Sequence, residues 1–270
     1  MTQPLGRVAI LGAGVMGEMV LGGLLSHGTD SADVVVSVRR PERAAELSAT
    51  YAVEVVDAAS AAAHADVVVL GAKPQDMSAL LAEVADAVAS GAVVISLAAG
   101  LPTTYFEARL PQARVVRTMP NTPGTVREGM TAVTAGVSAD AASVAITHQV
   151  MGTVGRVLDV PESQIDLVTA VSGSGPAYVF LLAESMREAA VELGLDPALA
   201  AELVRQTVIG AAALMKDSAA SPEQLRAWVT SKNGTTHAAV TVLEGRGIRS
   251  AMTEAMAAAV ARAKELSAGA

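Results

Sequence analysis

The sequence predicts an α/β chain in two parts, a parallel sheet wound with helices followed by an all-helical region. Three observations carry this. Short apolar, β-branched runs alternate with helix-like segments as far as Leu158, the pattern of strand–helix units that builds a parallel sheet. A glycine-rich turn, Gly12-Ala13-Gly14-Val15-Met16-Gly17, separates the first apolar run from the first helix. After Pro161 the strand-like runs stop and long helical periods take over.

In chain order, the predicted strands are Val8–Leu11, Val34–Val38, Asp66–Leu70, Ala92–Leu97, Arg114–Thr118 and Met130–Thr134. Each is short and β-branched, as strands covered on both faces should be. A helix over Ala139–Met151 and a last strand over Gly155–Leu158 complete the first part, residues 1–161. Residues 162–270 form the second part, with helices over Pro176–Leu193, Pro197–Met215, Pro222–Val229, His237–Glu244 and Arg249–Leu266. Gly194 is placed to end the first of these, and Pro197 suits the first turn of the next. Asp217-Ser218-Ala219-Ala220-Ser221 reads as a loop.

Composition narrows the function. Of 270 residues, 51% are hydrophobic but only 2% aromatic, so the core is aliphatic. Alanine-rich helices pack closely yet bury little area each, which favours burial against a partner subunit. The net charge of −8, from 27 acidic and 19 basic residues, argues against nucleic acid as a partner. The absence of cysteine excludes disulfides, thiolate metal sites and a cysteine nucleophile, and is compatible with a cytoplasmic location. His27, His64, His148 and His237 show no metal-ligand spacing, so no metal is expected. Val8–Leu25 follows Arg7 and is apolar, like a signal peptide, but Glu18 interrupts it and its glycines are regularly placed. It reads as strand, turn and helix, and no other apolar run has the length expected of a membrane span.

The glycine turn fits the G-x-G-x-x-G pattern in its required place, after a strand and opening a helix. Gly12, Gly14 and Gly17 allow a tight turn and close approach of a pyrophosphate to the helix N-terminus. Ala13, Val15 and Met16 complete that contact surface. The first part is therefore expected to be a Rossmann-like dinucleotide-binding domain. The second strand ends in Ser37-Val38-Arg39-Arg40. An NAD site usually has an acid here for the ribose hydroxyls. Ser37, Arg39 and Arg40 instead suit a phosphate, giving NADPH as cofactor with NADH weaker. A solvated basic turn is the alternative, since Glu42 and Arg43 follow.

Toward the C-terminus, Ser231-Lys232-Asn233-Gly234-Thr235-Thr236 precedes a predicted helix. Its small residues, hydroxyls and helix start make an anion-binding concavity. With Pro222, Leu225 and Val229 before it and Ala239, Val240, Leu243 and Glu244 after it, this stretch resembles the signature of pyrroline-5-carboxylate reductases. Four more motifs resemble that family, in family order: Gly71-Ala72-Lys73-Pro74, Ala98-Ala99-Gly100-Leu101, Met119-Pro120-Asn121-Thr122-Pro123, and Val171-Ser172-Gly173-Ser174-Gly175-Pro176-Ala177-Tyr178. The likeness covers nearly the whole chain. Two departures stand out. Asp57-Ala58 replaces a site where family members often carry an asparagine that touches the adenosine part. Lys232-Asn233 stands where Pro-Gly is the commonest form, and asparagine tolerates the left-handed backbone such a turn needs.

The resemblance implies NADPH-dependent reduction of a cyclic imine, 1-pyrroline-5-carboxylate, to proline. It implies that Ala72, Lys73, Pro74, Ala98, Ala99 and Gly100 line the cofactor's path and that Pro120 and Asn121 approach the nicotinamide. It places substrate against Ser174, Ser231, Asn233, Gly234, Thr235 and Thr236. The Thr236 hydroxyl is set near the ring nitrogen, and backbone N–H groups around Gly234, Thr235 and Thr236 on the carboxylate. It also implies a helical domain that dimerises and carries the substrate loop, with dimers assembling further. Helix caps and packing glycines are the architectural alternative for Ser172, Ser174 and Thr236. Lys232 either attracts the carboxylate or is solvated, and His237, adjoining Thr236, either donates a proton or points elsewhere on a helix. Tyr178 and Trp228 read as packing residues. The rival functions are a related imine or hydroxyacid reductase and a non-catalytic nucleotide-binding paralogue.

Overall fold

The computed structural model describes residues 4–268. Its strands are most aliphatic and β-branched at the centre of the sheet, at Val8–Leu11, Val34–Ser37, Val67–Leu70 and Val93–Ser96. They are β1 (Val8–Leu11), β2 (Val34–Ser37), β3 (Glu54–Val55), β4 (Val67–Leu70), β5 (Val93–Ser96), β6 (Arg114–Met119), β7 (Gly129–Ala135) and β8 (Gly155–Asp159). They form one sheet in the order β3-β2-β1-β4-β5-β6-β7-β8. All neighbours up to β6 are parallel, with Val8 opposite both Val34 and Val67. Every residue of β1, β2, β4 and β5 is buried, as the central strands of a sheet covered on both faces must be.

The helices of this part are α1 (Val15–Ser26), α2 (Pro41–Tyr51), α3 (Ala58–Ala62), α4 (Pro74–Val84), α5 (Thr103–Glu107) and α6 (Ala141–Gly152). Proline opens both α2 and α4, where a missing N–H costs nothing. Two aliphatic layers result. One, with Ile10, Leu21, Leu24 and Met151, lies on one face of the sheet; the other, with Leu11, Met77, Leu81 and Phe106, lies on the opposite face.

Two features differ from expectation. β7 runs antiparallel to β6, Val116 facing Ala135, rather than extending a parallel sheet. Only the Pro120–Glu128 stretch joins them, with a 3-10 turn at Thr122–Val126. That is too short for a crossover helix, so the strand must return antiparallel. α6 then carries the chain to β8, which pairs parallel with β7. The two-residue edge strand β3 was not anticipated.

From Ile165 onward the chain is helical: α7 (Ile165–Val168), a π-helical turn at Thr169–Gly173, α8 (Gly175–Glu192), α9 (Pro197–Asp217), α10 (Pro222–Trp228), α11 (Thr235–Gly245) and α12 (Ile248–Ala268). Two compact units emerge. One runs up to Ser174 and includes the chain from Ala259; the other is Gly175–Ala258. Within the second, α8 packs on α9. Asp196 caps α9 through the N–H groups of Ala198 and Leu199. Ser221 and Gln224 close a capping box on α10. The Glu244 carboxylate accepts from Arg226 at 2.8 Å and Arg249 at 2.9 Å, tying α10, α11 and the start of α12. Those two arginines, Arg249 first, hold its carboxyl below the ordinary range.

This unit has little core of its own. Among its described residues only Ala200 and Val204 are buried hydrophobics, while Phe180, Leu182, Ile209, Met215 and Trp228 are exposed. The expectation that no further apolar run reaches membrane-span length is corrected here. Glu162–Glu192 and Pro197–Asp217 contain 18-residue windows of mean hydropathy 1.4. Their charges are sparse enough for such windows: Glu202, Arg205 and Lys216 are the charged residues of α9 before Asp217.

Candidate active site

The strand order reverses direction between β1 and β4. At their carboxyl ends, where open α/β sheets bind ligands, lies a cleft of about 740 Å³. Gly12, Ala13, Gly14, Ser37, Arg39, Arg40, Ala72 and Lys73 line it, so the structure brings these eight expected cofactor residues together.

Gly12 has φ +94°, and a Cβ there would lie 2.7 Å from the backbone nitrogen of Ala72. The turn after β1 thus presses on the turn after β4, and a side chain would push them apart. Gly14 is the N-cap of α1 with open space where its Cβ would be. No side chain caps α1, so its first N–H groups are left for an anion. Val15 and Met16 begin the helix, and Gly17 packs under the Gly12 carbonyl. A glycine cradle, a free helix start and two exposed arginines fit a phosphorylated dinucleotide.

Two residues of this region, Arg43 and Asp76, were not singled out from the sequence. Arg43, on α2, has only 16% of its side chain exposed. It pairs with Glu18 and, at 2.7 Å, with Glu46, and it donates to the Ala13 carbonyl at 3.4 Å. Its pKa is raised, first by Glu46 and then, against the opposing effect of burial, by Glu18. It therefore fastens α2 to the glycine turn, which its place in a run of surface-like charges concealed. Asp57 caps α3 by accepting from Ser60, and Ala58 lines the cleft without a hydrogen-bonding side chain. Asp76 also lines it and reaches Arg39.

The remaining expected cofactor residues lie outside this cleft. Pro74 opens α4. Ala98, Ala99 and Gly100 follow β5, with Ala98 and Gly100 buried. This turn leads to Thr103, whose N–H and hydroxyl donate to Glu162 at 2.9 and 2.6 Å. Arg117, 3% exposed on β6, adds a third bond to Glu162 at 3.0 Å. Burial tends to raise the Glu162 carboxyl, but the Thr103 and Arg117 bonds outweigh it and hold it below its ordinary value.

Pro120 is buried. The Asn121 side chain is spent on backbone: its Nδ2 donates to the Ser172 carbonyl at 3.0 Å, and its Oδ1 accepts from the Met130 N–H at 2.9 Å. It thereby braces the loop after β6 against the π-helical turn. In that turn the Ser174 N–H bonds the Thr169 carbonyl, and Ser174 itself is half-buried. Such π turns frequently occur at functional sites.

In the helical unit, Ser231 and Asn233 shape a tight turn: the Gly234 N–H donates to the Ser231 carbonyl at 3.0 Å, and Asn233 is left-handed at φ +62°. Asparagine fills this position with little strain. Gly234, not a threonine, is the N-cap of α11, and no side chain caps it. The helix starts two residues earlier than expected, so Thr235 and Thr236 sit in its first turn. Among the described residues no hydrogen bond ends on either hydroxyl. A helix-cap role for Thr236 is thereby excluded. Thr235 is exposed and Thr236 half-buried. The Gly234 N–H is already engaged, which leaves those of Thr235 and Thr236 for an anion. Lys232 and His237 are exposed. Among the described residues no cluster of three or more His, Cys, Asp or Glu side chains is placed to hold a metal.

Sheet order, glycine turn and cleft define a dinucleotide-binding oxidoreductase built on a Rossmann-like domain, joined to an all-helical one. The NADP oxidoreductase, coenzyme F420-dependent, family matches residues 7–100, and the pyrroline-5-carboxylate reductase dimerisation family matches residues 162–266. The pyrroline-5-carboxylate reductase of Pseudomonas aeruginosa is 42% identical, covering 96% of each chain. The structure of a pyrroline-5-carboxylate reductase from Coxiella burnetii superposes with a TM-score of 0.92 at 38% identity, covering 98% of this chain and 99% of that one. A Plasmodium falciparum pyrroline carboxylate reductase, solved with NADP bound, gives 0.85 at 25% identity, covering 97% and 98%. The chain belongs to the pyrroline-5-carboxylate reductase family.

Proposed function

We propose that this protein reduces 1-pyrroline-5-carboxylate to L-proline with NADPH, the last step of proline biosynthesis. The observation that carries the reading is the start of α11. Its first-turn N–H groups and the Thr235 and Thr236 hydroxyls have no partner within the described residues, in a chain similar over its length to reductases of that name.

When bound, NADPH supplies the hydride that reduces the ring C=N bond. The chain's residues do the rest. Gly12 and Gly14 admit the pyrophosphate to the N-terminus of α1, and Arg39 and Arg40 receive the 2′-phosphate, with NADH binding more weakly. The Thr235 and Thr236 N–H groups hold the substrate carboxylate, with Ser231, Asn233 and Gly234 shaping the turn before them, and Ser174 is a further substrate residue. The Thr236 hydroxyl donates a hydrogen bond to the ring nitrogen as electron density moves there. Fixed orientation supplies much of the rate, and an imine that arrives protonated needs no strong acid and no metal.

Residues 1–161 serve the cofactor. Residues 162–270 serve assembly and substrate binding, with a homodimer formed through the apolar helices and further association of dimers. The protein works in the cytoplasm on a small molecule, away from nucleic acid and membrane. Steady-state oxidation of NADPH with pyrroline-5-carboxylate, with proline identified as product, tests the reading. NADPH binding without turnover of this imine would point to a non-catalytic paralogue, and turnover only of a hydroxy- or keto-acid pair to a hydroxyacid reductase.

A further inference from the structure

We propose that Asp76 sets the strength of cofactor discrimination by competing with the 2′-phosphate for Arg39. The inference rests on the NADPH reading above. Across the cleft mouth the Arg39 guanidinium donates to Asp76 through both terminal nitrogens, Nη1 to Oδ1 at 3.2 Å and Nη2 to Oδ2 at 2.8 Å. That two-nitrogen edge is the one a guanidinium turns to a phosphate. The carboxylate already occupies it.

The two partners are unequally held. The Arg39 side chain is 82% exposed and packs against little besides this carboxylate, whereas that of Asp76 is 32% exposed. Asp76 lies in the first turn of α4, where the helix dipole favours its negative charge. The other charges around the cleft do not share this contact. Arg43 is engaged by Glu18 and Glu46, and Asp57 by Ser60. Glu83 lines the cleft two turns further along α4. Among the described residues Arg40 and Lys73 have no carboxylate within ion-pair distance. NADPH must therefore displace Asp76 to reach Arg39, while NADH leaves the pair closed. Asp76 weakens the phosphate-bearing cofactor selectively.

Calorimetric titration of NADP⁺ and NAD⁺ into the full chain tests this in a double-mutant cycle of Asp76→Asn and Arg39→Ala. Asp76→Asn should tighten NADP⁺ about two- to fivefold, the range of an exposed ion pair, leave NAD⁺ unchanged, and lose its effect in the Arg39→Ala background. Weaker NADP⁺ binding, an equal change with both cofactors, or an effect that survives without Arg39 overturns the proposal. Arg39→Ala alone separates the two levels. If it leaves the NADP⁺-to-NAD⁺ ratio unchanged, the assignment of Arg39 to the phosphate fails. If it lowers that ratio while Asp76→Asn does nothing, only the competition fails.

Discussion

The two halves of this chain solve burial differently. In the sheet-bearing half, strands such as Val67–Leu70 are fully enclosed between helices, and the cofactor cleft is lined by Gly12 to Glu83 alone. In the helical half, α8 and α9 present Phe180, Leu182 and Ile209 to solvent. Alanine-rich helices of one chain cannot enclose each other. A sheet with two covered faces finishes its core within one copy, and a set of small-residue helices finishes it by meeting another surface. The dimerisation family matched over residues 162–266 describes a module of that second kind.

A charge on the apolar helices should break this contrast most sharply. Ile209→Asp would place an unpaired carboxylate in the proposed interface, at a cost of about 3–5 kcal/mol. Light scattering should show monomers at micromolar concentration and activity should collapse. Because the cleft needs none of these residues, NADP⁺ binding should persist. A variant that stays dimeric and active shows that α9 faces solvent.

The converse experiment strikes the enclosed half. Gly12→Ala forces a side chain into a positive-φ position against Ala72, with strain of about 1–3 kcal/mol. Cofactor binding should fall while assembly is retained, and unchanged binding would show that the two turns separate freely. A more selective loss is expected at α11. Thr236→Ala should lower turnover roughly ten- to a hundredfold, about 1.5–3 kcal/mol in the transition state, with cofactor affinity intact. Thr235→Ala should do less. Full turnover in folded Thr236→Ala protein removes the hydroxyl from the mechanism.

The smallest effect concerns acid. Glu162 is held below its ordinary value of 4.5, so it contributes stability above that pH and loses it as pH falls through the lower folded-state value. Melting temperature followed from pH 7 downward should drop, and Glu162→Gln should flatten that acid limb. An identical limb in the variant assigns acid sensitivity to other carboxylates.

Much of this was legible in the sequence because period and punctuation agree. Short runs rich in β-branched residues located β1, β2, β4, β5 and β6 to within a residue or two, and Pro197 and Pro222 marked helix starts. What escaped detection depends on tertiary contacts. Glu54–Val55 is too short to carry a period and is a strand only because β2 offers it an edge. The reversal at β7 follows from the length of the preceding loop, a signal present but outweighed by the strand–helix alternation. Arg43 and Asp76 looked like ordinary surface charges. Their partners Glu18 and Arg39 are 25 and 37 residues away. Asn121 read as a cofactor contact, yet its amide braces Ser172 and Met130, 51 and 9 residues away.

The scarcity of aromatic residues leaves one tryptophan in the whole chain, Trp228 at the end of α10, 68% exposed. Ultraviolet emission excited at the red edge thus comes from the helical half alone. Of the three tyrosines, Tyr51 and Tyr105 lie in the sheet-bearing half and Tyr178 on α8. The native protein carries an optical label that separates the melting of its two halves, and a shift of its emission to shorter wavelength on concentration reports the covering of that exposed indole without any dye or tag.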